Sequence, residues 1–155
     1  MDYHMKTLQI LAPGQAVWKA VPIPHPGRGE VLMKVLSVTT CPQWDLHIME
    51  GVPMFPGRPL TYPYAPGQPG HEAMGEVVLL GEGVSGLSVG ERVVAWRDAG
   101  HDRPGCYAQY VVMAAENLLP LPPQVEPADV TSLELAMCVQ VSFDQLSPLD
   151  IVAGK

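Results

Sequence analysis

Clustered positive charge is the first feature that this sequence lacks. Its 155 residues contain nine lysines and arginines against sixteen aspartates and glutamates, which gives a formal net charge of −7. Nucleic-acid binding requires clustered basic side chains for the phosphates, so the composition disfavours a DNA or RNA partner. No run of like charges is long enough to form an interaction tail.

Long apolar runs are also missing. The first fifteen residues lack the basic flank and the long apolar stretch of a signal peptide. Their apolar residues stop well short of the roughly 20 that are needed to cross a bilayer. We therefore expect a cytoplasmic protein that does not act at a membrane.

Cysteine is scarce, and its number is odd. Cys41, Cys106 and Cys138 stand far apart, which is a poor disulfide framework and is typical of a reducing compartment. A free cysteine is often buried as a small hydrophobic side chain, and we expect this of Cys106. With 47% hydrophobic and 16% charged residues, the chain has the composition of one folded domain with a hydrophobic core.

Proline and glycine, by contrast, are abundant and divide the sequence into short segments. Several segments between these turn residues are rich in β-branched side chains: KTLQIL, QAVWKAV, EVLMKVLSV, EAMGEVVLL, ERVVAW and CYAQYVVM. This spacing predicts a mainly β protein, either a barrel or a sandwich. Residues 53–70 contain six prolines, which predicts a long irregular loop of the kind that often carries function.

The composition changes at residue 127. Pro127 suits the first turn of a helix, and Pro148 marks the end of the apolar run that follows. We therefore predict a β-rich body over residues 1–127 and a tail of short helices over residues 128–155.

The stretch GEGVSG, residues 81–86, has the spacing of a dinucleotide-binding turn. That turn works only where a helix follows, because the helix N-terminus faces the pyrophosphate. Here LSVGERVVAW follows, and its glycine and β-branched residues predict another strand. We therefore interpret these glycines as a β-connection, and we predict no Rossmann domain in this chain.

Potential zinc ligands occur at scattered positions. Cys41, the pair His71 and Glu72, and Cys138 carry the thiolate, imidazole and carboxylate groups that zinc binds. The gaps between them are wide, so their spacing alone gives little support to a metal site. Trp44 suits either the hydrophobic core or a substrate pocket.

The stretch PGQPGHEAMGEVVLLGEGVSGLSVGERVVAW resembles the signature of the zinc-containing medium-chain alcohol dehydrogenases. It has their Gly-His-Glu at residues 70–72, a glycine three residues later, a strand, a glycine-bearing turn, and Val-Gly-Glu-Arg-Val at residues 89–93. EVLMKVLSVTTCPQWDLHIMEG is similar to the upstream strand and loop, and GCYAQYVVM and ELAMC match later segments. The resemblance implies a GroES-like, partly open β-barrel with short C-terminal helices.

The resemblance also implies one catalytic zinc ion, held by Cys41, His71 and Cys138. Glu72 would lie beside the metal as an alternative ligand. Bound zinc would act as a Lewis acid on the oxygen of a small alcohol or carbonyl substrate, from which hydride passes to or from NAD(P).

Two further residues have roles that the resemblance implies. Asp45 would fix the ring of His71, as carboxylates often do beside a metal. His47 would relay the proton.

The chain departs from the family pattern beside the first ligand. The family usually has Cys-x-Ser/Thr-Asp, whereas one more residue separates Cys41 from Asp45 here and no hydroxyl lies between them. An ungapped alignment on Asp45 would place Pro42 at the ligand position instead. No cysteine lies between Trp96 and Cys106, so we expect no structural zinc lobe.

A further departure concerns the cofactor. In the family, the sequence at LDIVAGK runs into a Rossmann domain, so NAD(P) binding would need such a domain in cis or in trans. We expect an amino-terminal half that is inactive alone, whether an excised domain, a split enzyme or a truncated product.

Two other hypotheses stay open. The chain could be a non-catalytic GroES-like assembly module, whose apolar tail over residues 128–146 would favour homo-oligomers. It could also be a relative of the zinc-free quinone reductases, which have a similar fold.

Overall fold

The computed structural model describes residues 3–96, 103–130 and 133–146. These residues form strands and helices in the order β1 His4–Ala12, β2 Gln15–Pro22, β3 Glu30–Thr39, α1 Pro42–Glu50, β4 Glu72–Leu80, β5 Arg92–Ala95, β6 Tyr110–Ala114, β7 Leu118–Pro120, α2 Pro127–Val130 and α3 Leu133–Leu146. A short 3₁₀ helix, Ala115–Asn117, joins β6 to β7. The mainly β fold with short C-terminal helices is confirmed.

The strands form two antiparallel sheets. β1 and β2 make a hairpin, and the larger sheet has the order β6-β3-β4-β5-β7. The segment before β6 connects the two sheets, because the Leu8 amide donates to the Tyr107 carbonyl and the Val35 amide donates to the Gln109 carbonyl. Among the described residues β2 and β7 remain as edges, so the sheets do not close into a barrel.

The core lies on the larger sheet, and β4 is its centre. Ala73, Met74 and Val77 of β4 are fully buried, because β3 and β5 flank the strand and the loops cover it. Cys106 belongs to the same core and is only 2% exposed, as expected for a thiol that packs as a small hydrophobic group.

The glycine stretch between β4 and β5 is a β-connection, as predicted, and no helix follows it. Gly83, Gly86 and Gly90 have φ angles of 77°, 82° and 85°, a region that glycine occupies without strain. Gly81 is needed for a different reason, since a Cβ there would lie 1.8 Å from the carbonyl oxygen of Gly27.

Two elements were not expected from the sequence. α1 occupies the segment that was predicted as a loop, with Pro42 in its first turn and Gly51 at its end in the left-handed conformation, φ 73°. β7 is only three residues long and pairs with β5.

No helix in the described ranges is both long enough and apolar enough to cross a bilayer.

Candidate metal centre

Three side chains with metal-binding groups meet between the end of β3 and the start of β4. The Sγ of Cys41, a ring nitrogen of His71 and a carboxylate oxygen of Glu72 all lie within 4.8 Å of one another. The strand register explains this meeting, because Thr39 at the end of β3 is paired with Glu72 at the start of β4. The residues just beyond this pair, Cys41 and His71, therefore emerge at the same end of the sheet.

α1 fixes the position of the thiol. Cys41 is the N-cap residue of the helix, with an extended backbone (φ −97°, ψ 92°), and its carbonyl accepts a hydrogen bond from the Asp45 amide. Pro42 is the first helical residue and has no donor to lose there. The first turn of α1 thus accommodates the additional residue, and Cys41 rather than Pro42 reaches His71 and Glu72.

The loop before β4 fixes the imidazole. Nδ1 of His71 is 2.9 Å from the carbonyl oxygen of Pro69. Because a carbonyl only accepts, Nδ1 carries the hydrogen, and the lone pair of the neutral ring is on Nε2. Nε2 is 3.8 Å from Oε1 of Glu72, so the ring presents its free nitrogen to the carboxylate.

Glu72 is a buried acidic residue with 5% exposure. Burial raises the pKa of Glu72, the charge of His71 opposes that rise, and the charge of Glu134 on α3 adds to it. A carboxylate in this position is stabilised by a nearby positive charge, which a metal ion supplies.

Asp45 lies beside this group and bonds with Tyr107. The Tyr107 hydroxyl donates to Oδ2, while Oδ1 is buried and accepts no hydrogen bond. Burial raises the pKa of Asp45, and the charge of His71 acts in the opposite direction. The His71 ring bonds with the Pro69 carbonyl in this structure, and Asp45 acts on the ring through charge. The role of Asp45 in fixing the ring beside a metal stays a prediction.

His47 does not join the group. Its Nδ1 is 2.8 Å from the Val52 carbonyl oxygen, and its Nε2 is 3.1 Å from Nε2 of Gln43. The carbonyl requires a hydrogen on Nδ1, so Nε2 of the neutral ring accepts from the Gln43 amide. Both ring nitrogens are thereby engaged, and the proton-relay role remains a prediction.

Cys138 does not join the group either. It is exposed on α3, and its Sγ is 3.6 Å from Oε1 of Glu134, one helical turn earlier. Partial burial raises the pKa of the Cys138 thiol, and the charges of Glu134 and then Glu72 raise it further. The thiol is therefore near the centre but outside the group of Cys41, His71 and Glu72, and its role as a zinc ligand stays a prediction.

Glu134 is the residue near the centre that sequence reasoning missed. Residues four apart on a helix lie on the same face. Glu134 and Cys138 are the first and last residues of ELAMC, so they lie on the same side of α3, one helical turn apart. Both interact electrostatically with Glu72. The acidic residue at the start of that segment was the available signal.

The donor set suits zinc. Ligands bound to zinc at 2.0–2.3 Å in a tetrahedron lie about 3.5 Å apart, and the His71–Glu72 separation of 3.8 Å is close to that value. One thiol, one imidazole and one carboxylate are all ligands that zinc binds in proteins. Three protein ligands leave one position open, which is typical of a catalytic site.

A pocket of about 500 Å³ lies beside α1. Trp44 lines it, with its ring 6.4 Å from that of Phe55, and also packs against the buried cluster that contains Ile48 and Tyr64. Trp44 therefore packs on the core and also lines a pocket, and substrate binding in that pocket stays a prediction. Arg58 also lines the pocket, which gives it one cationic side chain.

Known dehydrogenases resemble this chain in sequence. The family described as the alcohol dehydrogenase GroES-like domain matches residues 27–123. The L-threonine 3-dehydrogenase of Coxiella burnetii is 30% identical over 150 residues, which cover 78% of this chain and 41% of that protein.

Solved structures of dehydrogenases have the same fold. The 2R,3R-butanediol dehydrogenase of Bacillus subtilis is 28% identical with a TM-score of 0.70, over 84% of this chain and 44% of that one. An alcohol dehydrogenase of Escherichia coli CFT073, solved with NADH, is 27% identical with a TM-score of 0.71, over 85% and 42% of the two chains. The chain thus spans less than half the length of these relatives, and the expected GroES-like fold is confirmed.

Proposed function

The chain belongs to the medium-chain alcohol dehydrogenase family, as its GroES-like domain, and on that premise we propose that it is the zinc-binding catalytic domain of an NAD(P)-dependent alcohol dehydrogenase. The observation that carries the proposal is the convergence of Cys41, His71 and Glu72 within 4.8 Å. Cys41 comes from a different segment than the neighbouring residues His71 and Glu72, and a buried acid would be poorly stabilised there without a cation.

In this proposal Cys41, His71 and Glu72 hold the zinc ion, and Glu72 replaces Cys138 in the ligand set. A bound zinc ion supplies a Lewis acid, which polarises the oxygen of a small alcohol or carbonyl substrate. The Cys41 thiolate and the Glu72 carboxylate balance the divalent charge of the ion. The nearby charge of Asp45 raises the basicity of the His71 nitrogen that would bind it. His47 would move the proton once its contact with Gln43 opens.

Hydride transfer needs NAD(P), for which the proposal requires a Rossmann domain in cis or in trans. The β4–β5 connection is no such unit, because β5 and not a helix follows its glycines. A face of α3 suits the contact with that domain: Leu135, Val139 and Phe143 lie four residues apart and are 55%, 48% and 51% exposed. By this account dehydrogenase activity depends on the presence of that domain.

Zinc content in the wild-type chain and in His71→Ala tests the proposal. We expect one zinc ion per wild-type chain after dialysis, and a large loss in the variant, because the imidazole is one of three ligands. His25→Ala is the matched control, since this histidine is exposed outside the centre, and it should keep its zinc. Equal metal content in wild type and His71→Ala would overturn the proposal.

Cobalt separates a catalytic site from an assembly module. In the cobalt-loaded chain a short-chain alcohol should change the visible absorption of the metal, because an open coordination position admits the alcohol oxygen. A spectrum that no alcohol or carbonyl compound changes would contradict a substrate site. Failure to bind either metal would favour the zinc-free quinone reductase hypothesis.

A further inference from the structure

The contact between Tyr107 and Asp45 links two parts of the metal centre that are distant in sequence. The Tyr107 hydroxyl donates to Oδ2 of Asp45 across 62 residues of chain. Among the described residues, Oδ1 of the same carboxylate is buried and accepts no hydrogen bond. The phenol is the side-chain donor of this group, and a backbone hydrogen bond from Cys41 supports it. A buried carboxylate that loses a donor becomes markedly less stable.

On one side, this contact fixes the thiol ligand. Asp45 lies in the first turn of α1, and its amide donates to the Cys41 carbonyl over 2.9 Å. The side chain of Asp45 is therefore attached to the helical turn that begins at Cys41. The hydrogen bond from Tyr107 to the Asp45 carboxylate therefore also fixes the position and orientation of the first turn of α1.

On the other side, Tyr107 supports the loop that carries the imidazole. The Tyr107 amide donates to the Gly67 carbonyl, and the neighbouring Cys106 amide donates to the Gly70 carbonyl. The packing is so close that a Cβ at Gly70 would lie 2.7 Å from the Tyr107 nitrogen and 2.9 Å from its Cγ. Gly70 is the residue before His71, so Tyr107 contacts the chain on both sides of the centre.

We infer that Tyr107 is a positioning residue of the metal centre, whose hydroxyl sets the distance between Cys41 and His71 by holding Asp45. This inference rests on the proposed zinc function. A phenyl ring without the hydroxyl would fill the same space, so the positioning effect depends on the hydroxyl group. Tyr107 touches none of the reacting atoms and acts through the ligands.

The test is Tyr107→Phe, which keeps the ring and removes only the hydroxyl. Zinc affinity is measured by competition with a chromogenic chelator, using the full chain. We expect the variant to bind zinc about 10- to 100-fold more weakly, the usual effect of losing a partner of a metal-bound side chain. The visible spectrum of the cobalt-loaded variant should also change, because a displaced thiolate alters the field around the metal.

Tyr62→Phe is the matched control. The Tyr62 hydroxyl donates to the Ile48 carbonyl, so it holds the same helix away from the ligands. We expect this variant to lose thermal stability while its zinc affinity stays within about twofold of wild type. A general loosening of α1 would weaken zinc binding in both variants, and that result would overturn the inference.

A double-mutant cycle shows whether Tyr107 acts through Asp45. Asp45→Asn alone should weaken zinc binding, and adding Tyr107→Phe should weaken it little further, since residues in one hydrogen-bonded unit are not additive. Full additivity would overturn the inference, and so would unchanged affinity in a Tyr107→Phe variant beside a zinc-binding wild type. A wild-type chain that binds no zinc would overturn the proposed function as well. If Tyr107→Phe fails to fold, the hydroxyl supports the fold and the inference is wrong.

Discussion

Nε2 of His71 lies 3.8 Å from Oε1 of Glu72, although the two residues are neighbours in sequence. Successive side chains of a strand point to opposite faces, so neighbours inside a strand do not meet in this way. The contact is possible because β4 begins at Glu72 and His71 still belongs to the preceding loop. The start of β4 therefore determines whether both side chains reach the Cys41 thiol.

The two candidate thiols should differ in their effect on metal content. Cys41 lies within the ligand group, whereas Cys138 is exposed and bonds with Glu134. We therefore expect Cys41→Ser to lose most of its zinc and Cys138→Ser to keep it, measured by metal analysis after dialysis. Each variant is the control for the other, and loss of zinc in both variants would restore the set of Cys41, His71 and Cys138 that was predicted from the sequence.

Stability of the zinc-free protein should depend on pH through Glu72. Burial raises the pKa of Glu72 above its ordinary 4.5 in the folded state. At pH values between 4.5 and that raised pKa, Glu72 is protonated in the folded state and ionised in the unfolded state. The free energy of unfolding therefore falls as pH rises through this range. Glu72→Gln removes this loss, and its stability relative to wild type should increase with pH.

Urea unfolding at several pH values, with a chelator present, measures this effect. Glu76→Gln is a suitable control because Glu76 lies on the same strand outside the ligand group. Parallel pH profiles for wild type and Glu72→Gln would contradict a buried acid at this position.

Two glycines with the same backbone angle should respond differently to a Cβ. Gly67 has φ 83° and Gly86 has φ 82°, but a Cβ at Gly67 would lie 2.1 Å from the Gly105 carbonyl oxygen, whereas a Cβ at Gly86 would meet nothing within 4 Å. Gly86→Ala therefore measures the cost of the left-handed conformation alone, about 1–2 kcal/mol. Gly67→Ala should lower the free energy of unfolding by roughly 1–3 kcal/mol more, because the clash adds to it.

Zinc binding should follow the same order, since Gly67 accepts from the Tyr107 amide and begins the turn before His71. Urea unfolding and chelator competition on both variants check this. Equal losses of stability would show that the backbone approach at Gly67 relaxes without cost.

The apolar face of α3 should control self-association. We propose that a second copy of the chain covers Leu135, Val139 and Phe143 when no Rossmann domain is bound, because all three are about half exposed on one face. A triple serine variant should sediment as a monomer at concentrations where the wild type associates. Val89→Ser, at a position that is 62% exposed in the β4–β5 connection, should behave like wild type. A wild type that is monomeric throughout would contradict the role of this face in self-association.

The strands could be predicted from the sequence because β-branched segments alternate with glycine and proline, and each predicted segment falls largely on an observed strand or just before one. α1 could not be predicted, since its nine residues bury only Ile48 completely and begin at Pro42, directly after Cys41, in a segment that was expected to be a loop. Its first turn is also what resolved the ambiguity between Cys41 and Pro42.

The candidate ligands also divide into those that a local sequence pattern identified and those that it did not. His71 and Glu72 were identified from a local pattern, because both follow directly from the start of one strand. Cys138 was predicted from the resemblance of ELAMC to a segment that carries a cysteine ligand. That resemblance does not show that Glu134 lies one helical turn earlier on the same face. The Tyr107–Asp45 contact left no local signal, since it joins residues that are 62 positions apart.

X-ray absorption at the zinc edge of the zinc-loaded chain tests the central claim most directly. The account predicts one zinc ion with a single sulfur ligand, from Cys41, at about 2.3 Å, and nitrogen or oxygen ligands at about 2.0–2.2 Å from His71, Glu72 and one exchangeable position. Two sulfur ligands would place Cys138 on the metal, and a zinc ion with no sulfur ligand would contradict the centre described here.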